Sequence, residues 1–559
     1  MENNNFKLNT LPYERVTIEA FQEEGKVILK EFKEAKTGEE QFEVHKKYYK
    51  LIKKMQTAIV LAALRHNGNV VDKFYEEEQD YYDEIEPKIT AFDNEYKKEL
   101  FNTKFRSFME EKIGKIAFKD IEFDLKSFND SLIPLKQEEN SLVSEYGKLL
   151  AEVKIDFEGE ELNLSLLGKY LTSKDRSMRI KAVKARNEAL EKIKDKLDDI
   201  YNKLVSNRNA QAKKLGLKSY VELGYYNMGR TTYGIEEVRN FREQVKKYLV
   251  PFTSKIHEER RKRLGLEKLD SVDEGIYFAD GNPAPKGTPD DIFAAGKKMY
   301  SELSIETKEF FDFMLDHELF DVLGRTNKAG GGYMDMLFDY KAPIIFANFN
   351  GTSGDVDVIT HESGHAFQGF ITRNDEIMEH NNIKMETAET HSMSMEFFAE
   401  KWMELFFGDE ADNYRKMHFE DAVAFIPYGC MVDEFQEIIY SKPELTPEER
   451  REVWKNLEKE YKPHLAFKND EFQGEGRRWQ LQKHIYEVPF YYIDYCLAQT
   501  CALQFKIMME KDYEKAWDKY LAFAKESAKD SFQNMLHNVG LKSPFEDGYM
   551  KELVENLEK

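Results

Sequence analysis

Apolar residues recur at intervals of three and four through the strongly charged stretch from Phe21 to about Tyr201, the spacing that gathers them on one face of a helix. The pattern continues through "DRSMRIKAVKARNEALEKIKDKLDDIYNKLV", which predicts one uninterrupted amphipathic helix with its Lys and Glu runs in solvent. "TAIVLAAL" (Thr57 to Leu64) reads as a turn of a core helix. Two stretches break the helical spacing. "FADGNPAPKGTPDDI", Phe278 to Ile292, has the Pro and Gly density of a loop between helical blocks. "NKAGGGYMDMLFDYKAPIIFANFNGTSGDVD" is the least helical part of the chain, and "PIIFANF" within it (Pro343 to Phe349) predicts a strand. Helical spacing resumes in "VITHESGHAFQGF" (Val358 to Phe370) and again from about Lys384 to Trp402.

Composition agrees with a mainly α fold: 14 prolines in 559 residues, and long runs rich in Glu, Lys, Leu and Ala. A hydrophobic content of 41% with 13% aromatics is enough for sizeable cores. The formal charge of −22 argues against nucleic acid as a partner, because phosphate contacts need a basic surface. Three cysteines, Cys430, Cys496 and Cys501, cannot make a disulfide framework for a chain of this size, so a reducing compartment is expected. "MENNNFKLNTLPYERVTIEAF" lacks the basic start and apolar run of a signal peptide. No apolar run approaches the ~20 residues that cross a bilayer. A cytoplasmic protein with no membrane partner is the expectation.

The chemistry gathers in "HESGH". His361 and His365, four apart on a helix, aim two imidazoles at one point. Zn²⁺ suits two such nitrogens plus a third ligand, with a position left for water. Glu362 projects roughly 100° away around the helix, where it can serve as general base without ligating. A metzincin would place glycine and histidine three and six residues after the second histidine; Gln368 and Ile371 stand there and exclude that class. The helix that follows offers His380, Glu386, Glu389 and His391 as third ligand, and spacing alone does not choose between Glu386 and Glu389. Glu396, on the Glu389 stripe, could accept a ligand histidine's other N–H or simply face solvent.

At this point the chain resembles the thimet oligopeptidase and oligoendopeptidase F family, most nearly its bacterial Pz-peptidase-like members. "HESGHAFQ" is similar to the family's HExGH helix, and "ETHSMSMEFF" to its glutamate-ligand helix. "DRSMRIKAVKARNEA", "AKKLGLKSYVELGYYNMGR", "GGGYMDM", "IIFANFNGTSGDVDVITHE" and "FIPYGCMVDEFQEIIY" also resemble family segments, so the likeness runs from about Leu171 to Gly540. It implies a two-lobed helical ellipsoid with a deep channel, a small β element beside the HExxH helix, and one zinc per chain on the channel wall, held by His361, His365 and Glu389. An amino-terminal helical region (1–185) would precede a catalytic region (186–559), with the lobes interleaved. Short unfolded peptides are the implied substrates.

The resemblance also assigns "HIYEVPFYYIDY" to the substrate side: Tyr495 as oxyanion donor, with Tyr492 and His484 binding substrate backbone. Gly330, Gly331 and Gly332, followed by Tyr333, would let backbone approach a peptide, and Phe346 to Phe349, including Ala347 and Phe349, would offer main-chain groups to it as strand addition does. The expected reaction is zinc-dependent hydrolysis of internal peptide bonds, with Glu362 moving the proton; cobalt or manganese are neighbouring candidates for the ion. A dipeptidyl carboxypeptidase on the same scaffold is the alternative. It needs a cation for the substrate carboxylate, for which Arg477 and Arg478 are the candidates, unless they are ordinary surface residues. A non-catalytic peptide-binding scaffold is a third reading, opposed by the intact base and ligands.

Overall fold

A computed structural model describes residues 6–325 and 327–559; the first five residues of the stretch read as lacking a leader lie outside that range. The fold is 71% helical, as the spacing of apolar residues predicts. Strands are few among the described residues: a hairpin of β1 (Ile155–Phe157) and β2 (Glu160–Leu162), and a three-stranded sheet of β3 (Phe320–Leu323), β4 (Tyr333–Leu337) and β5 (Ala342–Phe349). No helix among the described residues is long and apolar enough to cross a membrane.

The chain divides into two compact units, each assembled from three separate segments. Unit 1 comprises Met1–Ile133, Ala284–Ala411 and Cys501–Lys542; unit 2 comprises Pro134–Pro283, Asp412–Thr500 and Ser543–Lys559. One crossing, Pro283 to Ala284, falls in the expected Pro- and Gly-rich loop, which ends where Thr288 caps the helix Pro289–Leu303. The division expected at 185/186 falls inside the helix Arg176–Glu191 of unit 2.

Unit 1 opens with three helices, α1 (Ile18–Glu34), α2 (Gly38–Gly68) and α3 (Lys73–Phe101). Their apolar faces meet in a core that includes Phe21, Phe32, Tyr48, Met55, Phe92 and Tyr96. Ala58, Leu61, Ala62 and Leu64 are buried on α2, as "TAIVLAAL" predicts. Thr17 and Thr37 cap α1 and α2 by accepting from the backbone N–H of Ala20 and Glu40.

The sheet of unit 1 runs β3-β5-β4, with β3 parallel and β4 antiparallel to β5. The strand expected to lend its edge to a peptide is therefore the central one. Its residues from Ala342 to Ala347 are buried on both faces, the signature of an interior strand. The edges belong to β3 and β4, the latter beginning at Tyr333. A run of apolar residues marks a strand but carries no information about which strands flank it.

In unit 2 the expected continuous helix from Asp175 is two helices, Arg176–Glu191 and Lys194–Lys214. The backbone turns at Lys192–Ile193, and Ile193 packs against the cluster of Ile155, Phe157, Leu167 and Ala189. Periodicity in sequence survives such a one-turn break because the helices on each side keep their own spacing.

Candidate metal centre

The residues of "VITHESGH" do not lie on one regular α-helix. A wider π turn, Val358–Glu362, leads into the α-helix Ser363–Thr372, so His361 sits in the π turn and His365 in the α-helix. Tyr300 donates its hydroxyl to the Ile359 carbonyl (2.8 Å), an extra donor inserted at this turn. Single π turns of this kind occur often at functional sites. A Cβ on Gly364 would lie 2.6 Å from the Cα of Ser392 and 3.0 Å from the His391 carbonyl. Glycine there admits the helix Met385–Ala399 to near backbone contact, which is why the motif tolerates a weak helix former between its two histidines. On the sheet side, Gly369 likewise faces Met336 of β4, so the small β element does lie beside the HExxH helix.

Close approach of the two helices brings three donors together. Glu389 Oε2 lies 3.4 Å from His361 Nε2 and 3.4 Å from His365 Nε2. These three residues are the group able to hold a metal ion among the described residues, with ligand atoms all within 4.8 Å of one another. Ser392 donates to Glu389 Oε2 (3.0 Å), and Glu396 Oε1 is 2.5 Å from His361 Nδ1. That second bond engages Nδ1 and leaves Nε2 turned toward the other donors. Burial works against the charge of Glu389, but the imidazoles of His365 and His361 hold its carboxyl well below the ordinary carboxylate range. Burial likewise opposes protonation of His361, and the carboxylates of Glu389 and Glu396 outweigh it, raising its pKa well above that of free imidazole. Two imidazoles and a fully buried carboxylate form an N₂O set whose charge a divalent cation would balance. The residues fit the metal that the sequence implies.

The other candidates for third ligand are placed elsewhere. His391 is buried against Phe523, with ring centroids 5.1 Å apart, and burial lowers its pKa to about 3. His380 pairs with Asp375 (3.0 Å). Glu386 is buried, and it does not belong to the donor group.

Beside Glu362 lies the glycine loop. Of its three glycines only Gly331 uses the left-handed region (φ +102°). A Cβ on Gly332 would stand 3.6 Å from Glu362 Oε1, which places backbone at the Glu362 carboxylate. Sequence reasoning missed Lys328, whose side chain is wholly buried. Its ammonium donates to Asp321 O (2.8 Å), Leu323 O (3.1 Å) and Ala347 O (2.6 Å). The Ala347 carbonyl, expected to meet a substrate, is therefore taken by Lys328. Nothing short of the folded loop marks this lysine, which in sequence is one of many.

In unit 2 the structure brings His484, Tyr492 and Tyr495 together: His484 lies 4.9 Å from Tyr492 and 5.7 Å from Tyr495, centroid to centroid. The two tyrosine rings are 5.5 Å apart. Burial raises the pKa of Tyr492 well above that of a free phenol, so its hydroxyl stays a neutral donor. Gln482 bridges His484 Nδ1 (3.0 Å) to the Tyr428 hydroxyl (2.7 Å). Arg477 and Arg478 are not open cations. Arg477 pairs with Asp198 (3.2 Å) and Glu475 (2.9 Å), and Arg478 with Glu274 (2.6 Å).

Two histidines four residues apart and a glutamate from a second helix make the donor set, and with the acid that follows the first histidine they define a metallopeptidase site. Comparison with known proteins agrees. Residues 8–128 match the peptidase M3 N-terminal domain and residues 294–555 match peptidase family M3. A solved Pz peptidase A with an inhibitor is 44% identical, covering 99% of this chain and 98% of that one with a TM-score of 0.96. A structure assigned as oligoendopeptidase F has the same identity and coverage with a TM-score of 0.97. One assigned as oligoendopeptidase F from Bacillus anthracis str. Ames is 42% identical, covering 100% of this chain and 98% of that one at a TM-score of 0.92. No curated protein matches the chain. The chain belongs to peptidase family M3 and is a metallopeptidase.

Proposed function

We propose that the protein is a zinc-dependent endopeptidase that hydrolyses internal bonds of short unfolded peptides in the cytoplasm. The observation that carries this reading is the convergence of His361, His365 and Glu389 within 4.8 Å, with Glu362 directly after the first histidine. His361, His365 and Glu389 would hold the ion. Zinc, when bound there, supplies Lewis acidity toward water and toward the scissile carbonyl. Glu362 takes a proton from the attacking water on a carboxylate oxygen and delivers it to the departing amine nitrogen. Glu396 fixes the orientation of His361 through Nδ1. Backbone at Gly331, Gly332 and Tyr333 lines the approach to Glu362, and β4, as an edge strand, offers main-chain groups that β5 cannot. Tyr495 is proposed as donor to the developing oxyanion, with Tyr492 and His484 holding substrate backbone.

The test is Glu362→Gln, assayed on a quenched oligopeptide beside metal analysis. Zinc content should stay at one per chain while turnover falls by about 10²–10⁴-fold, the range for loss of a general base. Turnover near that of the unaltered enzyme would remove Glu362 from the mechanism.

A further inference from the structure

We propose that α2 is a positioning spine of the metal and substrate sites, with His45 and Asn67 as positioning residues near its two ends. The inference rests on the peptidase reading above and gives the amino-terminal helices a part in it.

The segment Arg373–Lys384 joins the HExxH helix to the glutamate helix, so its course bears on how His365 and Glu389 meet. It contains Glu379, whose carboxylate is claimed by α2. His45 is 2% exposed and uses both ring nitrogens, Nε2 with Glu379 Oε1 (2.9 Å) and Nδ1 with the Tyr96 hydroxyl (2.9 Å). Tyr49, one turn on, donates its hydroxyl to the other oxygen of Glu379. The same segment is tied to Asp120, which accepts from Lys384 (3.0 Å). A half-buried carboxylate with both oxygens bonded to α2 is costly to leave unpaired, so α2 sets the place of Glu379.

Further along, Thr57 accepts from the backbone N–H of Asp339 (3.1 Å) in the turn between β4 and β5. Asn67 then holds the glycine loop twice. Its side chain donates to the Tyr333 hydroxyl (3.1 Å), and its carbonyl accepts from Ala329 N–H (2.7 Å). Arg325 adds a bond to the Gly68 carbonyl (3.1 Å). From residue 45 to residue 67 a helix rises about 33 Å. One continuous helix packed against α1 and α3 therefore fixes both the segment between the ligand helices and the loop that faces Glu362. The two contacts lie at separate points of that helix, and each holds its own element of the site.

The experiment uses the full-length zinc-loaded protein carrying His45→Gln, Tyr49→Phe or Asn67→Ala. Three readouts are taken: zinc release to a chelator, KM and kcat on a quenched peptide, and the thermal midpoint. Tyr49→Phe keeps the ring and removes only the hydroxyl, so it stands in should His45→Gln fail to fold. His45→Gln and Tyr49→Phe should release zinc faster by about twofold to tenfold, the effect of one lost hydrogen bond, with KM unchanged. Asn67→Ala should raise KM by a similar factor and leave zinc release unchanged. A merely structural role would lower the midpoint and move both kinetic readouts together, or move neither, and either result overturns the proposal. Glu362→Gln in the same assay reports on the peptidase reading itself: if it stays active that reading falls, whereas the zinc-release comparison still decides whether α2 positions the metal donors.

Discussion

Gly364 and Ser392 stand so close that a Cβ at position 364 would sit 2.6 Å from the Ser392 Cα, a contact with backbone that no side-chain rotation relieves. Two opposing effects are thus set against each other in Gly364→Ala. Helix propensity favours alanine by about 1 kcal/mol, while forcing the two helices apart costs about 1–3 kcal/mol and separates the metal donors. The clash wins because its partner is a packed helix, so the variant should melt lower and bind less zinc. Calorimetry with metal analysis checks it; a higher midpoint with full zinc content would show that the helices are free to move apart.

Glu389 and Glu386 lie three residues apart on one helix, yet only Glu389 reaches the histidines. Glu389→Ala should lower zinc affinity by more than about tenfold, whereas Glu386→Gln should leave it unchanged. Titration with a competing chelator distinguishes them. Preferential zinc loss in the Glu386 variant would move the third ligand.

With Arg477 and Arg478 already paired to carboxylates, no cation among the sequence candidates remains to grip a substrate's carboxyl terminus. A peptide amidated at that end should be cleaved with a kcat/KM within about twofold of the free acid, since no charge-assisted bond is lost. Chromatography of the products would show it, and a tenfold preference for the free acid would favour a carboxypeptidase.

Stability should depend on pH through Glu458 in unit 2. Burial pushes its carboxyl up to about 7, only partly offset by Lys462, and its Oε1 has no hydrogen-bond partner. The folded state therefore binds this proton more tightly than the unfolded chain does. The stabilisation is complete below the ordinary carboxylate pKa and is lost as pH rises through about 7. Glu458→Gln, which never ionises, should stabilise the protein at pH 8.5 by roughly 2–3 kcal/mol and change little at pH 5. Thermal melts at the two pH values decide it; an equal shift at both would mean that ionisation is not the cause.

Much of the metal centre was legible because its chemistry is local. His361, Glu362 and His365 sit within five positions, and helical spacing alone turns two imidazoles to one side. Glu389 required the family resemblance, since Glu386 has an equal claim by spacing. Glu396 was within reach as a neighbour along the same stripe. What stayed hidden is what long-range packing decides. The interior place of β5 depends on strands that precede it by a loop, and the π turn coincides with a hydroxyl from Tyr300, on a different helix. The bond from His45 to Glu379 spans 334 positions, and no local pattern announces it.

The discontinuity of unit 1 has a consequence for biosynthesis. The glutamate helix is backed by the carboxy-terminal segment, where the hydroxyl of Tyr520 donates to the His391 carbonyl (3.0 Å) and Ser527 donates to the His380 carbonyl. A nascent chain that has emerged only as far as residue 500 carries all three ligands but lacks the segment Cys501–Lys542 that completes their unit. Domains generally fold as whole units during synthesis. Assembly of the three ligands into their finished unit is thereby expected only after Cys501–Lys542 has been made.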